Sequence, residues 1–239
     1  MNEKYFDCIK KLKIKNIVQI VSGICLIISP VFCYLAFYSK NWIWFVYFLC
    51  LFVLSLFSVI KYSTIKEYTE EKTPYSISTK DKVTFETIKN QVLENYNVKT
   101  KEYAKSQVFF FKSRMKYRFT LYQIDDFSVD EFMHIKKNTN YKMNKDFEIT
   151  NKVSFYDNKR CAINVIVTKQ ENAELIDFLS KDASIGMRRH QSIINIAICQ
   201  ETNVVLIPRL IANATLLHIK KYENNIKLIC ELTDTKYKN

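Results

Sequence analysis

Two uncharged stretches near the amino terminus constrain this chain more than any other feature. Ile17 to Tyr38 and Trp42 to Ile60 carry no Asp, Glu, Lys or Arg. They span about 22 and 19 residues, and at 1.5 Å per residue a helix of either length crosses a hydrocarbon core of about 30 Å. The first run contains Gln19, Ser22, Gly23, Ser29 and Pro30, which a buried soluble hairpin would also have to accommodate. Length decides against that alternative, as does the clustering of Tyr38, Trp42 and Trp44 where an outer interface would fall. Gln19 and Ser22, one turn apart with Gly23 beside them, predict a packing face against the second helix.

A secretory signal is the competing reading, because Lys10, Lys11, Lys13 and Lys15 precede an apolar run as an n-region does. No small-residue cleavage site stands where one would be needed, Cys25 follows Ile24, and cleavage would still leave the second span. The lysines also set a direction. Lys4, Lys10, Lys11, Lys13 and Lys15 precede the first span, Lys61, Lys66 and Lys72 follow the second, and the connection Ser39–Asn41 holds only Lys40. The positive-inside rule then places both termini in the cytoplasm of a multi-pass cell-membrane protein. The predicted organisation is a basic cytosolic N-terminus (1–16), a transmembrane hairpin (17–60, with spans 17–38 and 42–60), a charged juxtamembrane linker (61–75) ended by Pro74, and a cytosolic domain (76–239).

Seven cysteines are spread without close spacing. They read as free thiols in a reducing compartment, those of the large domain being buried in strands.

Within the domain the patterning predicts an α+β fold with a mainly antiparallel sheet and helices covering one face. Phe85, Ile88, Val92 and Tyr96 mark a helix over 83–96. Alternation over 107–112 and 116–124 marks a hairpin. Ser128 with Glu131 fits a capping box, and Phe127 with Phe132 a hydrophobic staple, so a helix starts there. Val153 to Tyr156 and Arg160 to Thr168 predict a second hairpin, the latter strand central because of Ile163, Val165, Ile166 and Val167. Asn172 caps a helix carrying Leu175, Ile176 and Leu179. Ser192 to Cys199 and Val204 to Ile207 form another strand pair. Residues 211–222 suit either a helix or a strand, and 226–232 predict a final strand. The resulting order is helix, strand, strand, about three times over, without matching residues between units.

Two basic groups are candidate sites. Lys112, Arg114, Lys116 and Arg118 recur at every second position among aromatic residues. That pattern suits an anionic lipid surface, or less economically nucleic acid, and also suits a half-solvated hairpin. Gly186 precedes Arg188, Arg189 and His190, expected in a loop able to hold a phosphate or carboxylate, although such a loop usually needs more glycine. The formal net charge of +12 weakly supports nucleic acid. Lys4, Lys10, Lys11, Lys13, Lys15, Lys40 and Lys61, set against Glu3 and Asp7, already contribute five of those charges through membrane topology.

No H-x-x-H or C-x-x-C pair occurs, His134, His190 and His218 lie in different predicted elements, and nucleotide, nucleophile-elbow and kinase signatures are absent. Cys161 with His190 and Asp157, or Asp125 with Asp126 and Asp130, are sets that almost any chain of this size offers. The spans hold no acid or base for ion transport. The expectation is a non-catalytic membrane-anchored binding module of bacterial type, without cofactor or metal. It recognises a protein partner or a membrane-associated complex in a regulatory, assembly or toxin-immunity role. The alternative is a membrane-tethered enzyme or anion sensor using Arg188 to His190.

Overall fold

The computed structural model of the chain describes residues 3–63, 73–146, 160–188, 193–209 and 216–234. They fall in two compact units, residues 6–70 and residues 71–239 with the first five.

The first unit is a helical hairpin. Helix α1 (Glu3–Tyr38) carries the basic stretch and the first span without interruption, and α2 (Trp42–Ser63) carries the second. Lys10–Tyr38 and Trp42–Ile60 are each long and apolar enough to cross a membrane, and only 17% and 6% of the respective windows are buried. Within the two uncharged spans the buried positions are small: Ser22, Ser29 and Ala36, seven residues apart on α1, and Ser55 on α2. Small side chains let helix backbones approach, and a seven-residue repeat holds the seam on one side. Phe32 stacks on Phe48 across the seam, with ring centroids 5.0 Å apart. Ser22 thus packs as its sequence position predicts. Gly23 does not serve close approach, since nothing lies within 4 Å of where its Cβ would be.

The turn has a definite cap. Asn41 N–H donates to the Ala36 carbonyl (2.9 Å) and Lys40 N–H to that of Phe37 (3.0 Å), with Lys40 at φ 55°. This is the Schellman arrangement, with lysine in the left-handed position that glycine usually holds.

The second unit contains a seven-stranded mixed sheet in the order β1-β7-β6-β5-β4-β3-β2. Its strands are β1 (Tyr75–Ser78), β2 (Lys99–Tyr103), β3 (Ser106–Lys112), β4 (Lys116–Gln123), β5 (Arg160–Thr168), β6 (Ile193–Cys199) and β7 (Val204–Ile207). Its helices are α3 (Phe85–Asn95), α4 (Val129–Asp146), α5 (Ala173–Arg188) and α6 (Leu216–Leu232). The outer pairings β1·β7, β7·β6, β4·β3 and β3·β2 are antiparallel, whereas β4·β5 and β5·β6 at the centre are parallel.

Several expectations are corrected here. β5 is central, but parallel neighbours occupy both its edges, so it is not the second strand of a hairpin. Residues 153–156 lie outside the described residues. Two parallel pairings require crossover helices, and because the strand order advances one way through β4, β5 and β6, right-handed crossovers put α4 and α5 on one face. Helices α3 and α6 pack on the other, so both faces are covered instead of one. Residues 226–232 are the end of α6 and not a strand. Ile219, Tyr222, Ile226 and Ile229 recur at helical spacing and are all at most 3% exposed, so a run that reads as apolar in a short window is a buried helix face. Strands β1 and β2 were not foreseen. β2 has a burial pattern that is almost wholly exposed, leaving no apolar alternation to see. Three strands, β2, β3 and β4, follow α3, so the threefold helix-strand-strand order does not hold among the described residues.

On the α4/α5 face, Tyr122, Ile166, Ala197, Cys199 and Leu206 meet Phe127, Phe132, Leu175 and Leu179 in one core. The Phe127 and Phe132 rings lie 6.1 Å apart, as the predicted staple requires. The capping box is built differently. The Glu131 carboxylate turns to Lys105, 2.6 Å away, and Glu174 of α5 accepts the Val129 N–H at 2.8 Å. Asn172 caps α5 as predicted, its Oδ1 accepting the Leu175 N–H at 2.8 Å. On the opposite face, Tyr96 at the end of α3 stacks on Phe111, which stacks in turn on Tyr117.

Candidate functional site

The β3–β4 hairpin positions the first basic group. Its register pairs Lys112 with Lys116 and Phe110 with Arg118, so Lys112, Lys116 and Arg118 share the α4/α5 face of the sheet. Arg114 leaves that set. It lies in the turn, and its guanidinium donates to Glu231 of α6 at 2.9 Å. The four-residue stripe is therefore three cations on one face and one surface ion pair elsewhere.

Within those three the environments differ. Lys112 and Lys116 are exposed and directly opposed, an arrangement that is unfavourable for like charges. Arg118 is half-buried, and burial pulls its pKa down, which marks a partly desolvated charge. Lys116 also stands in register with Arg160, the first residue of β5.

Further along the same face lie Thr120, Asn164 and Asn195, each at most 2% exposed and adjacent across β4, β5 and β6. Asn164 Nδ2 donates to Asn195 Oδ1 at 2.7 Å. Sequence reading passed over this row. The available signal was one asparagine inside each of the apolar runs Ile163–Val167 and Ile193–Ile198.

The carboxyl end of β4 opens on a cleft of about 310 Å³ lined by Ala104, Lys105, Gln123, Asp125, Asp126 and Glu131. Ligands of open α/β sheets use this end of parallel strands, and the parallel order that creates it was not legible in the sequence. Its charges are largely compensated, with Glu131 by Lys105 and Asp125 by Lys169 at 3.5 Å. Asp125 also holds the loop, its carbonyl accepting from Thr168 Oγ1 at 2.8 Å, so its role is that of a turn residue.

The second basic group is not a loop throughout. Gly186 and Arg188 belong to α5, which runs to Arg188, while Arg189 and His190 lie outside the described residues. His134 is exposed on α4 near Asn138, and Asp157 lies outside the described residues. Among the described residues no group of His, Cys, Asp or Glu could hold a metal ion. No disulfide joins the cysteines that can be described, and Cys161, Cys199 and Cys230 are buried. Burial pushes the Cys161 thiol up to about 11, although Lys221 opposes the shift.

Comparison with protein families, with characterised proteins and with solved structures finds no match to this chain.

Proposed function

We propose that this protein is a membrane-anchored binding module whose α+β domain works in the cytoplasm, recognising a protein partner or a membrane-associated complex without performing chemistry. The observation that carries the reading is the hairpin. Its outward surface is apolar over both spans, with Ile27 75% and Ile43 83% exposed, and it carries no acid or base with which to move an ion. Water-exposed apolar area on that scale is unfavourable by about 25 cal/mol per Å², whereas lipid accepts it. The lysine distribution supports a cytoplasmic placement of both termini.

The test has two steps on the full-length protein in its native membrane. Carbonate extraction should leave it in the membrane pellet, and protease added to the outside of spheroplasts should spare tags at both ends. Cross-linking followed by affinity purification in mild detergent should then recover a stoichiometric protein. Release by carbonate would refute the anchor. Digestion of either tag would refute the orientation, and repeated purification without a partner would refute the binding role.

A further inference from the structure

A guanidinium carries five N–H donors and stays charged at any physiological pH. When it is withdrawn from water it is, as a rule, paired. Arg118 breaks that rule. It sits on β4 within the sheet, half-buried, and among the described residues it makes no hydrogen bond and no ion pair. Lys112 and Lys116, one row away on the same face, also lack a carboxylate partner among those residues.

Two acids among the described residues are engaged elsewhere. Glu231 holds Arg114. Asp146, at the end of α4 above this face, accepts from the Tyr103 hydroxyl at 3.2 Å and pairs with Lys101 at 3.8 Å. Three cations are thus gathered where the described residues supply no counter-charge, and the innermost of them is the one whose geometry binds two oxygens at once.

We infer that Arg118, flanked by Lys112 and Lys116, is a receptor for a phosphomonoester group, the guanidinium engaging two phosphate oxygens while the two ammonium groups neutralise the remaining charge. A carboxylate would offset one of the three cations. A phosphomonoester carries between about 1.5 and 2 negative charges near neutral pH and presents three acceptor oxygens. The phosphate can belong to a lipid headgroup or to a soluble molecule, and the chemistry of recognition is shared. This inference does not depend on the existence of a protein partner.

The experiment uses the full chain reconstituted in phosphatidylcholine nanodiscs. One arm titrates inorganic phosphate by calorimetry at constant ionic strength. The other replaces part of the lipid with phosphatidic acid and follows the melting temperature by circular dichroism. Saturable binding in the first arm alone identifies a soluble phosphate. A raised melting temperature in the second, with loss of inorganic phosphate binding, identifies a headgroup. In whichever arm responds, Arg118→Met should abolish the response. Arg118→Lys should weaken it about tenfold, because a point charge cannot replace the bidentate fork. Lys112→Gln with Lys116→Gln should weaken it several-fold and flatten its salt dependence. Neither arm responding overturns the inference, as does an undiminished response of Arg118→Met. If that variant does not fold, an undiminished response of the double lysine variant overturns it equally.

Discussion

Asn172 joins two elements with one side chain, so removing it should loosen the core in a calculable way. Its Oδ1 accepts the Leu175 N–H at 2.8 Å and caps α5, while its Nδ2 donates to the Phe127 carbonyl at 2.9 Å, just ahead of α4. Loss of an Asn cap costs about 0.5–2 kcal/mol. Loss of one further hydrogen bond costs about 0.5–1.5 kcal/mol. Asn172→Ala should therefore destabilise the docking of α5 by about 1–3.5 kcal/mol. Cys199 provides the assay, because it is fully buried in the same core as Phe127, Leu175 and Leu179. Its thiol reacts only when that core opens, and each 1.4 kcal/mol is tenfold in the open population. Labelling at Cys199, followed by peptide mass spectrometry of the full chain in neutral detergent, should accelerate roughly 5- to 300-fold in Asn172→Ala. Asn172→Asp retains the acceptor, gains about 0.3–1 kcal/mol at the positive helix end and loses only the donor, so it should fall between wild type and Ala. Equal rates for Ala and Asp, or an Ala rate within twofold of wild type, would refute this account of how α5 is held.

Two further outcomes follow from the geometry. The Cys161 thiol, 2% exposed, has its pKa raised by burial from 9.0 to about 11. The stability it contributes is present below pH 9 and is lost as pH rises from 9 to about 11, at about 1.4 kcal/mol per pH unit; Cys161→Val should lessen the decline seen in urea unfolding between pH 8 and pH 10 by about that much, and an unchanged decline would contradict it. Lys40 holds a left-handed conformation with φ 55° in the hairpin turn, so Lys40→Gly should stabilise the hairpin by about 1 kcal/mol. The two tryptophans, Trp42 and Trp44, both lie in the hairpin. Their fluorescence during SDS titration should show the higher midpoint, and a lower one would count against the turn as described.

What was legible in the sequence was whatever local chemistry decides. The spans, their short connection, the β3–β4 hairpin, the Phe127–Phe132 staple and the Asn172 cap all depend on residues within a few positions of one another, and each stands where its local pattern puts it. Of the four alternating basic residues Lys112, Arg114, Lys116 and Arg118, the register puts Lys112, Lys116 and Arg118 on one face of the sheet, as alternation implies. The sequence could not show that Arg114 is drawn to Glu231, 117 residues away. Nor could it distinguish the exposed lysines from the half-buried arginine, because burial depends on what packs above the sheet.

The tertiary structure alone decided how strands and helices are shared out. Strand alternation is the same whether a neighbour runs parallel or antiparallel, so β5 next to β4 and β6 cannot be told from half of a hairpin by its own residues. A seven-residue apolar window at 226–232 fits a strand until Ile219 and Tyr222 extend the helical spacing and the sheet supplies a surface for it to cover. By itself the sequence determined two lipid-length apolar helices and an α+β domain, because hydrophobic periodicity and end-capping act locally. The parallel centre, the covering of both faces and the half-buried setting of Arg118 came only with the fold, because they arise from contacts between residues far apart in the chain.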